Sequence, residues 1–306
     1  MQPFFSRHAQ ILADRSTYQT LVGIDLGGAR GKTTAVALLQ RSDEGVLVES
    51  VMMRAPDGSP WADAALVAYL RGFAPNETAI AINAPLTAPA CTRCTLEVCP
   101  GYEECADPAT IWLRTTGQEL QAEAVLSDTS RIAAMPQTSG FLAPSPLPSA
   151  AVQRLPPYTH RCSEVLLHHT RSLLSKEQLG QTSWAISSRA AHLKRVLAGA
   201  GYPLNESLIE VSPRCTIAAL FGERRARFYK READPWQTRA AIVEGMQDLS
   251  FSRGSRLSRE DVLRNDNCFD ALVSAYTAYL WARDDWQMPE GPFAEDGWIW
   301  APLAED

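Results

Sequence analysis

The feature that most constrains the fold is a series of short β-prone runs near the start of the chain. Residues 20–26 (TLVGIDL), 34–40 (TAVALLQ) and 46–53 (VLVESVMM) are separated by the turn signals GGARGK and SDEG, which is the pattern of an antiparallel meander. These runs are followed by a segment with helical periodicity, SPWADAALVAYLRGFA, and by a strand of the buried type, TAIAINAPL. These residues therefore predict three strands, a helix and a fourth strand.

The remaining pattern is that of an α/β protein with a single domain. We expect one domain over residues 20–306, preceded by an N-terminal extension at 1–19. The proline-rich stretch 141–160 is expected to be an ordered crossing segment or a lid. Further elements are predicted as two helices, a strand, a long helix and a terminal strand: 161–175, 183–198, 207–213, 267–283 and 297–302.

Composition narrows the class of protein. The chain has 306 residues, of which 45% are hydrophobic and 21% charged, an ordinary globular balance. Its apolar runs are shorter than the roughly 20 residues of a membrane helix, and its N-terminus has no apolar signal core. We therefore expect a soluble cytoplasmic protein that does not associate with a membrane.

Charge is distributed unevenly along the chain. The net charge of −6 argues against a protein that coats nucleic acid nonspecifically. Residues 214–264, however, hold 11 Lys and Arg against 7 Asp and Glu. The densest basic piece is GERRARFYKRE, residues 222–232. It is interpreted either as a solvated helix end and loop or as a basic contact surface.

The segment LGGARGKTT invites comparison with a phosphate-binding loop. Such a loop needs glycine, four further residues and then Gly-Lys-Ser/Thr, followed by a helix. The required glycine position is Leu26, and the residues after Thr33 are apolar and β-branched like a strand. We therefore interpret Gly27 to Lys32 as the turn of a hairpin, with Lys32 able to face a phosphate.

This interpretation leaves Asp25 at the end of the first strand, inside the apolar run GIDLGG. A carboxylate is costly to bury there unless it binds a metal or a strong donor. The alternative is a hydrogen bond to the turn amides that follow it. An aspartate at this point of a meander occurs in ribonuclease-H-like nucleases and in actin-like sugar kinases. The second glycine-rich hairpin and the adenosine loop of the kinases are not found in the sequence.

Several motifs occur in an order that resembles a family of predicted ribonuclease-H-like nucleases, catalogued as a domain of unknown function. The motifs are GIDLGG (23–28), AINAPL (81–86), PYTHRCSE (157–164), IEVSPR (209–214), FDALVSAYTAYL (269–280) and GWIWAP (297–302). The resemblance implies a ribonuclease-H-like mixed sheet, with a three-strand antiparallel meander plus parallel strands, flanked by helices. It covers the chain from about residue 20 to residue 302, apart from the cysteines.

The resemblance also implies a catalytic site. Asp25, Glu210 and Asp270 would bind two Mg or Mn ions that activate water and stabilise the leaving oxygen of a phosphodiester. Glu210, like Asp25, is an acid within an apolar strand, whereas Asp270 is equally explained by the helix dipole. Relatives tend to carry Asp where this chain has Asn83, which supplies an oxygen without a negative charge.

The same resemblance implies substrate contacts. It predicts that Arg161 with Glu164, Arg214 and Lys230 contact phosphate or substrate. Lys32 is a further predicted substrate contact because of its place in the hairpin turn. Arg161 and Glu164 are equally well interpreted as an i,i+3 surface pair.

The sequence CTRCTLEVCPGYEEC carries four cysteines: Cys91, Cys94, Cys99 and Cys105. Four thiolates this close, with Pro100 and Gly101 turning the chain, can reach one metal centre. A 4Fe-4S iron-sulfur cluster is slightly favoured over zinc. Such a centre, close in sequence to Asn83, is expected to fix the end of that strand or, less readily, to sense redox state.

The sequence thus predicts a metal-dependent nuclease or phosphodiesterase that binds nucleic acid, with a cysteine-ligated metal centre beside its active site. The alternative is a noncatalytic nucleic-acid-binding or redox-sensing protein on the same fold.

Overall fold

The structure of the protein is a computed structural model that describes residues 15–28, 30–123, 154–171, 184–231, 234–252, 254 and 256–302. Parts of three predicted segments lie outside the described residues: most of the N-terminal extension, the proline-rich stretch up to residue 153, and residues 172–175 of a predicted helix.

Within the described residues, the strands form one seven-stranded mixed sheet. They are β1 Thr20–Asp25, β2 Ala35–Ser42, β3 Gly45–Met52, β4 Thr78–Asn83, β5 Leu208–Val211, β6 Leu249–Phe251 and β7 Ile299–Trp300. The spatial order is β6-β3-β2-β1-β4-β5-β7. Strands β1, β2 and β3 form the predicted antiparallel meander, and β4, β5 and β7 extend the sheet in parallel from β1. Strand β6 adds to β3 in parallel at the opposite edge.

Helices cover both faces of this sheet. They are α1 Asp63–Leu70, α2 Pro108–Trp112, α3 Cys162–Arg171, α4 Trp184–Gly199, α5 Pro213–Phe221, α6 Glu223–Phe228, α7 Pro235–Gly245, α8 Arg256–Arg264, α9 Asp266–Arg283 and α10 Phe293–Asp296. Helix α2 continues into a π-helical turn, Leu113–Gly117, and single 3-10 turns occur at Arg15–Thr17 and Ala90–Thr92. The predicted α/β class, with helices flanking a mixed sheet, is confirmed.

The two faces of the sheet bury separate apolar cores. Alternate residues of β1 point to opposite sides, as the period of a strand requires. Leu21 packs in the core that includes α9, whereas Val22 and Ile24 pack with apolar residues of α1 and α4. Helix α9 is buried along almost its whole length, because it crosses the centre of the sheet.

A glycine lets α9 approach the sheet closely. A Cβ atom at Gly23 would lie 2.1 Å from the carbonyl oxygen of Ala271 and 2.2 Å from the backbone nitrogen of Ala275. Only a residue without a side chain can therefore occupy this position of β1. The contact places Asp270, the residue before Ala271, above the central strand.

The sequence predicted the strands of the meander, β4, β5, α1, α3, α4 and α9 to within a few residues. The region between β5 and α9 was not predicted in detail. There, the pattern of residues 222–232 indicates a helix end with a loop or a contact surface, and the structure has helix α6 within this segment. Among the described residues, no helix is both long enough and apolar enough to cross a membrane.

Candidate active site

Three candidate residues lie at the carboxyl ends of adjacent parallel strands. Asp25 ends β1, Asn83 ends β4, and the two residues are direct neighbours in the sheet register. Glu210 of β5 pairs with Ile82 of β4, so it occupies the next position along the same edge. The carboxyl edge of parallel strands is where α/β sheets form ligand sites. The sheet therefore brings together residues that are up to 185 positions apart.

These residues line a cavity of about 440 Å³, here termed the sheet-end cavity. Of the predicted site residues outside the cysteines, eight line it: Asp25, Asn83, Arg161, Glu164, Glu210, Arg214, Lys230 and Asp270. Lys32 does not line the cavity formed by the described residues. It is exposed in the β1–β2 connection, next to Gly31, whose φ of 66° favours glycine.

Asp25 and Asn83 interact directly. The Nδ2 atom of Asn83 donates a hydrogen bond to Oδ1 of Asp25 at 2.7 Å. Both side chains are half-buried at the cavity wall. An aspartate at position 83 would instead place a second negative charge against Asp25, a repulsion that a bound cation would have to offset. Asn83 therefore orients the carboxylate of Asp25 without adding charge.

Arg161 lies at the centre of a buried ion network. Its Nη1 and Nη2 atoms bond to the two carboxylate oxygens of Glu210 at 2.9 and 2.6 Å. Its Nη2 atom also bonds to Oε1 of Glu164 at 2.9 Å. The backbone N–H of Leu86 donates to Oε2 of Glu210 at 2.7 Å. Arg161 and Glu164 are only 1% and 7% exposed, so the alternative of a surface pair is wrong.

The buried ion network raises the pKa of Arg161, and the pKa of Glu164 is raised within it. Burial alone would lower the pKa of Arg161, but Glu210 and Glu164 outweigh it and raise that pKa. Burial raises the pKa of Glu164, with Glu210 adding to the rise and Arg161 opposing it. One guanidinium thus faces two carboxylates, and it does not fully offset the burial of Glu164.

Asp270 is held by a second pair of donors. The hydroxyl of Tyr229 donates to Oδ1 of Asp270 at 3.0 Å, and the Nζ atom of Lys230 bonds to Oδ2. Asp270 is 2% exposed and lies beyond the first turn of α9, which is capped by Asn265. A helix dipole acts mainly within the first turn. The buried pairing with Lys230 explains this aspartate better than the dipole does.

Asp270 also raises the pKa values of its two donors, Tyr229 and Lys230. Burial alone would lower the pKa of Lys230, but Asp270 and then Asp25 raise it above the ordinary value of lysine. Burial and the charge of Asp270 raise the pKa of Tyr229. At neutral pH, the cavity therefore presents a charged lysine and a neutral tyrosine.

The cations that line the sheet-end cavity outnumber its carboxylates by one. The carboxylates are Asp25, Glu164, Glu210 and Asp270, and the cations are Arg161, Arg214, Arg227, Lys230 and Arg231. The Nε atom of Arg214 is buried and has no hydrogen-bond partner among the described residues. The small excess of positive charge suits an anionic ligand.

This arrangement differs from the two-ion site that the sequence implied. Both oxygens of Glu210 are engaged by Arg161, and one also by Leu86. In the part of the chain that is described, no group of three or more His, Cys, Asp or Glu side chains is placed to hold a metal ion. Asp25 and Asn83 remain the oxygen-bearing pair best suited to a single hard cation such as Mg²⁺ or Mn²⁺.

Arg189 of α4 supports the loop that follows Asp25, and the sequence analysis did not identify it. Its Nη1 atom donates to the carbonyl oxygens of Gly27 and Gly28, both at 2.9 Å. Its Nη2 atom donates to the carbonyl of Trp61 at 2.5 Å, and Nε bonds to Asp63 at 2.6 Å. The sequence around Arg189 does not predict these contacts, because the partners of Arg189 are more than 120 residues away.

The cysteine loop, residues 91–105, lies beyond Leu86 and borders a second cavity of about 580 Å³. Cys91, Cys99 and Cys105 line this thiol cavity together with His160, a residue that the cysteine spacing could not identify. Burial, and after it the thiols of Cys105, Cys99 and Cys94, raise the pKa of Cys91. The four thiols are thus neighbours, although, as noted, the described side chains are not placed as a metal-binding group.

Two connections join the cysteine loop to the sheet-end cavity. The backbone nitrogen of Cys91 donates to the carbonyl of Pro157 at 3.0 Å, in the segment that leads to His160 and Arg161. Asp296 bonds to Arg93 at 3.2 Å and to the backbone N–H of Cys162 at 2.6 Å. The loop is therefore fastened to the start of α3, next to the arginine that binds Glu210.

Comparison with known proteins identifies the family of this chain. Neither the curated proteins nor the solved structures include a significant match to this chain. The family described as "Protein of unknown function (DUF429)" matches residues 23–293. This range includes every predicted site residue from Asp25 to Asp270. The chain belongs to this family.

Proposed function

We propose that the protein is a metal-dependent nuclease or phosphodiesterase of ribonuclease-H-like fold. The observation that carries the proposal is the sheet-end cavity. It collects Asp25, Asn83 and Glu210 from the ends of three adjacent parallel strands, with Asp270 and several cations around them. An antiparallel β3-β2-β1 meander extended by parallel β4 and β5 also supports the ribonuclease-H-like fold.

The acidic part of the cavity is the proposed metal site. Asp25 and Asn83 would hold a Mg²⁺ or Mn²⁺ ion, with Asp270 as a further oxygen donor if Lys230 moves aside. Bound there, the ion would supply positive charge that polarises a phosphodiester and lowers the pKa of a coordinated water. The engaged oxygens of Glu210 favour one ion rather than two.

The basic part of the cavity is the proposed phosphate site. Glu210 holds Arg161 by two hydrogen bonds, and Asp270 holds Lys230. Each carboxylate therefore fixes a cation in position. Lys230 is 36% exposed, and Arg214 has a buried Nε without a partner among the described residues. These two side chains are the best placed to contact a phosphate, while Arg161 adds a fixed positive charge.

The test is cleavage of labelled single-stranded and structured nucleic acids with Mg²⁺ or Mn²⁺. Asp25→Ala should lower the rate at least about a hundredfold, because a metal ligand contributes several kcal/mol to catalysis. Asp43→Ala is the matched control, since Asp43 is exposed in the β2–β3 turn at the opposite end of the sheet. Equal rates for the two variants would overturn the proposal.

Asn83→Asp tests the metal directly. The substitution adds a carboxylate beside Asp25 and should increase the affinity for Mn²⁺, measured by titration calorimetry. In a chelator, the same charge should lower the melting temperature, because two unneutralised carboxylates would repel each other. An unchanged Mn²⁺ affinity would contradict a metal site at Asp25.

We also propose a metal centre at the cysteine loop. Cys91, Cys94, Cys99 and Cys105 would hold an iron-sulfur cluster or zinc, since four thiolates satisfy either. Three of these residues, Cys91, Cys99 and Cys105, line one cavity, which supports this proposal. Anaerobic purification tests it: a brown protein with iron and sulfide indicates a cluster, and a colourless protein with zinc indicates a zinc site. Protein with neither metal would contradict the centre.

A noncatalytic nucleic-acid-binding or redox-sensing protein is the second candidate. The pairing of Glu210 with Arg161 and of Asp270 with Lys230 favours it, because both carboxylates are engaged by cations rather than placed around an ion. Nucleic-acid binding without cleavage in either metal would support this candidate over the nuclease.

A further inference from the structure

The outer wall of the sheet-end cavity continues into a basic surface that also carries aromatic side chains. Helix α6 and the residues that follow it include Arg227, Lys230 and Arg231, which line the cavity. Arg224 and Arg225 of the same helix are exposed. Helix α6 therefore presents cations both to the cavity and to solvent.

Two aromatic rings are exposed among these cations. Phe228, the last residue of α6, is 41% exposed, and Trp236, in the first turn of α7, is 47% exposed. The guanidinium of Arg264 lies 5.2 Å from the ring centroid of Trp236, and this cation–π contact orients the ring. An exposed aromatic ring among cations offers a face on which an unpaired base can stack.

The surface has a rigid base. Ala226 and Tyr229 are buried beneath it, and the ring of Tyr229 packs 5.4 Å from that of Phe269 in α9. Arg239 of α7 is 1% exposed and donates to the carbonyl of Tyr229 at 2.9 Å. These contacts fasten α6 to α7 and to α9, so the exposed cations and rings are held on a fixed frame.

We propose that this basic-aromatic surface, formed by Arg224, Arg225, Arg227, Phe228, Arg231 and Trp236, binds single-stranded nucleic acid and leads it into the sheet-end cavity. Cations track a phosphate backbone, and exposed aromatic rings stack on unpaired bases. A duplex keeps its bases stacked on one another, so it can use the cations but not the rings. This inference rests on the proposed function, which supplies nucleic acid as the substrate. It adds that the nucleic acid bound at this surface is single-stranded.

The test is a nucleic-acid binding assay in the presence of a metal chelator. Metal-dependent cleavage cannot occur under these conditions, so binding is measured alone. Fluorescence anisotropy would compare a labelled single strand, the same sequence as a duplex, and an abasic strand of equal length. Phe228→Ala and Trp236→Ala should each weaken single-strand binding at least about fivefold, because stacking on an aromatic side chain strengthens binding by about that factor or more. Neither variant should change binding of the abasic strand. Tyr158→Ala is the matched control, since Tyr158 is 56% exposed beside the thiol cavity.

The charge contribution is tested separately. Arg224→Gln combined with Arg225→Gln should weaken binding of all three probes and reduce the salt dependence of single-strand binding by about 1.4 in log–log slope. Arg71→Gln, in an exposed position after α1, should leave both unchanged. Equal affinity for duplex and single strand, or no effect of the two aromatic variants, would overturn the inference. Single-strand binding without metal-dependent cleavage would instead overturn the proposed nuclease and leave this inference standing.

Discussion

The sheet-end cavity and the cysteine loop contrast in how each holds its reactive side chains. In the cavity, every candidate acid belongs to a strand or a helix, and each has a partner in the structure: Asp25 with Asn83, Glu210 with Arg161, and Asp270 with Lys230. In the loop, three of the four cysteines are exposed and the fourth is half-buried. Most of the loop lies outside regular secondary structure.

This difference indicates what organises each region. The cavity is built by the sheet and by its own ion pairs, so it should persist without any ligand. The cysteine loop is short of internal packing, so a metal would supply most of the energy that orders it, as in other small metal-stabilised segments. Substitutions in protein freed of metal should therefore affect stability strongly in the cavity and weakly in the loop.

The largest expected loss comes from Arg161→Met. This variant leaves Glu210 and Glu164 buried without their cation, so the free energy of unfolding should fall by about 3–5 kcal/mol. Urea denaturation in a chelator would measure it. Arg71→Met, at an exposed position, should change stability by no more than about 0.5 kcal/mol. A loss below about 1 kcal/mol for Arg161→Met would show that the network does not hold the cavity together.

A smaller loss is expected from Arg189→Met. The carbonyl groups of Gly27 and Trp61 would lose the donor that Arg189 supplies, and leaving buried acceptors unpaired should cost about 2–3 kcal/mol. Arg195→Met is the control, because Arg195 lies exposed on the same helix. If urea denaturation gave the two variants equal stability, Arg189 would not be what holds the loop after Asp25.

The sequence was a good guide to the sheet and to the residues at its end. Strand periodicity and turn residues are local, so the meander and β4 could be predicted, and acids in apolar strands identified Asp25 and Glu210. Because parallel strands end at one edge, their convergence follows from the topology. That argument cannot show which partner each acid takes.

The pairings depend on how distant elements pack. Arg161 and Glu210 are 49 residues apart, and Arg189 and Gly27 are 162 apart, so no local pattern reports these contacts. Helix α6 is only six residues long, too short to show a clear helical period. Lys32 lies at an exposed position outside the sheet-end cavity, and its contact with a phosphate stays a prediction.

A moderate, pH-dependent effect is expected at Glu164. Burial raises its pKa above the ordinary value of 4.5. A raised pKa in the folded state adds stability that is fully present below pH 4.5 and is lost as the pH rises through the folded-state pKa. Glu164→Gln removes this titration. Wild type should therefore gain stability relative to the variant as the pH falls from about 7 towards 4.5, by about 1.4 kcal/mol per unit of pKa difference.

Urea denaturation of both proteins at several pH values would measure that difference. Acids outside the Arg161 network titrate in wild type and variant alike, so the comparison reports the contribution of Glu164 to that network. A difference that stays constant with pH would mean that Arg161 offsets the burial of Glu164 and that the pKa of Glu164 is not raised.

The smallest effect is expected in the cysteine loop. In a chelator under reducing conditions, Cys91→Ser should change the free energy of unfolding by no more than about 0.5 kcal/mol, because Cys91 is exposed. Cys268→Ser makes the same chemical change at a thiol that is 1% exposed in α9. It should cost more, about 1–3 kcal/mol, because the serine hydroxyl is harder to bury than a thiol.

Metal loading should reverse this ranking. After anaerobic reconstitution with iron and sulfide or with zinc, Cys268→Ser should retain the metal, whereas Cys91→Ser should lose it together with the stability that the metal adds to wild type. Metal analysis and urea denaturation of the same samples would measure both. If Cys91→Ser were as damaging as Cys268→Ser in the chelated protein, the loop would be ordered by its own packing. The contrast with the sheet-end cavity would then fail, because both regions would be formed before any ligand binds.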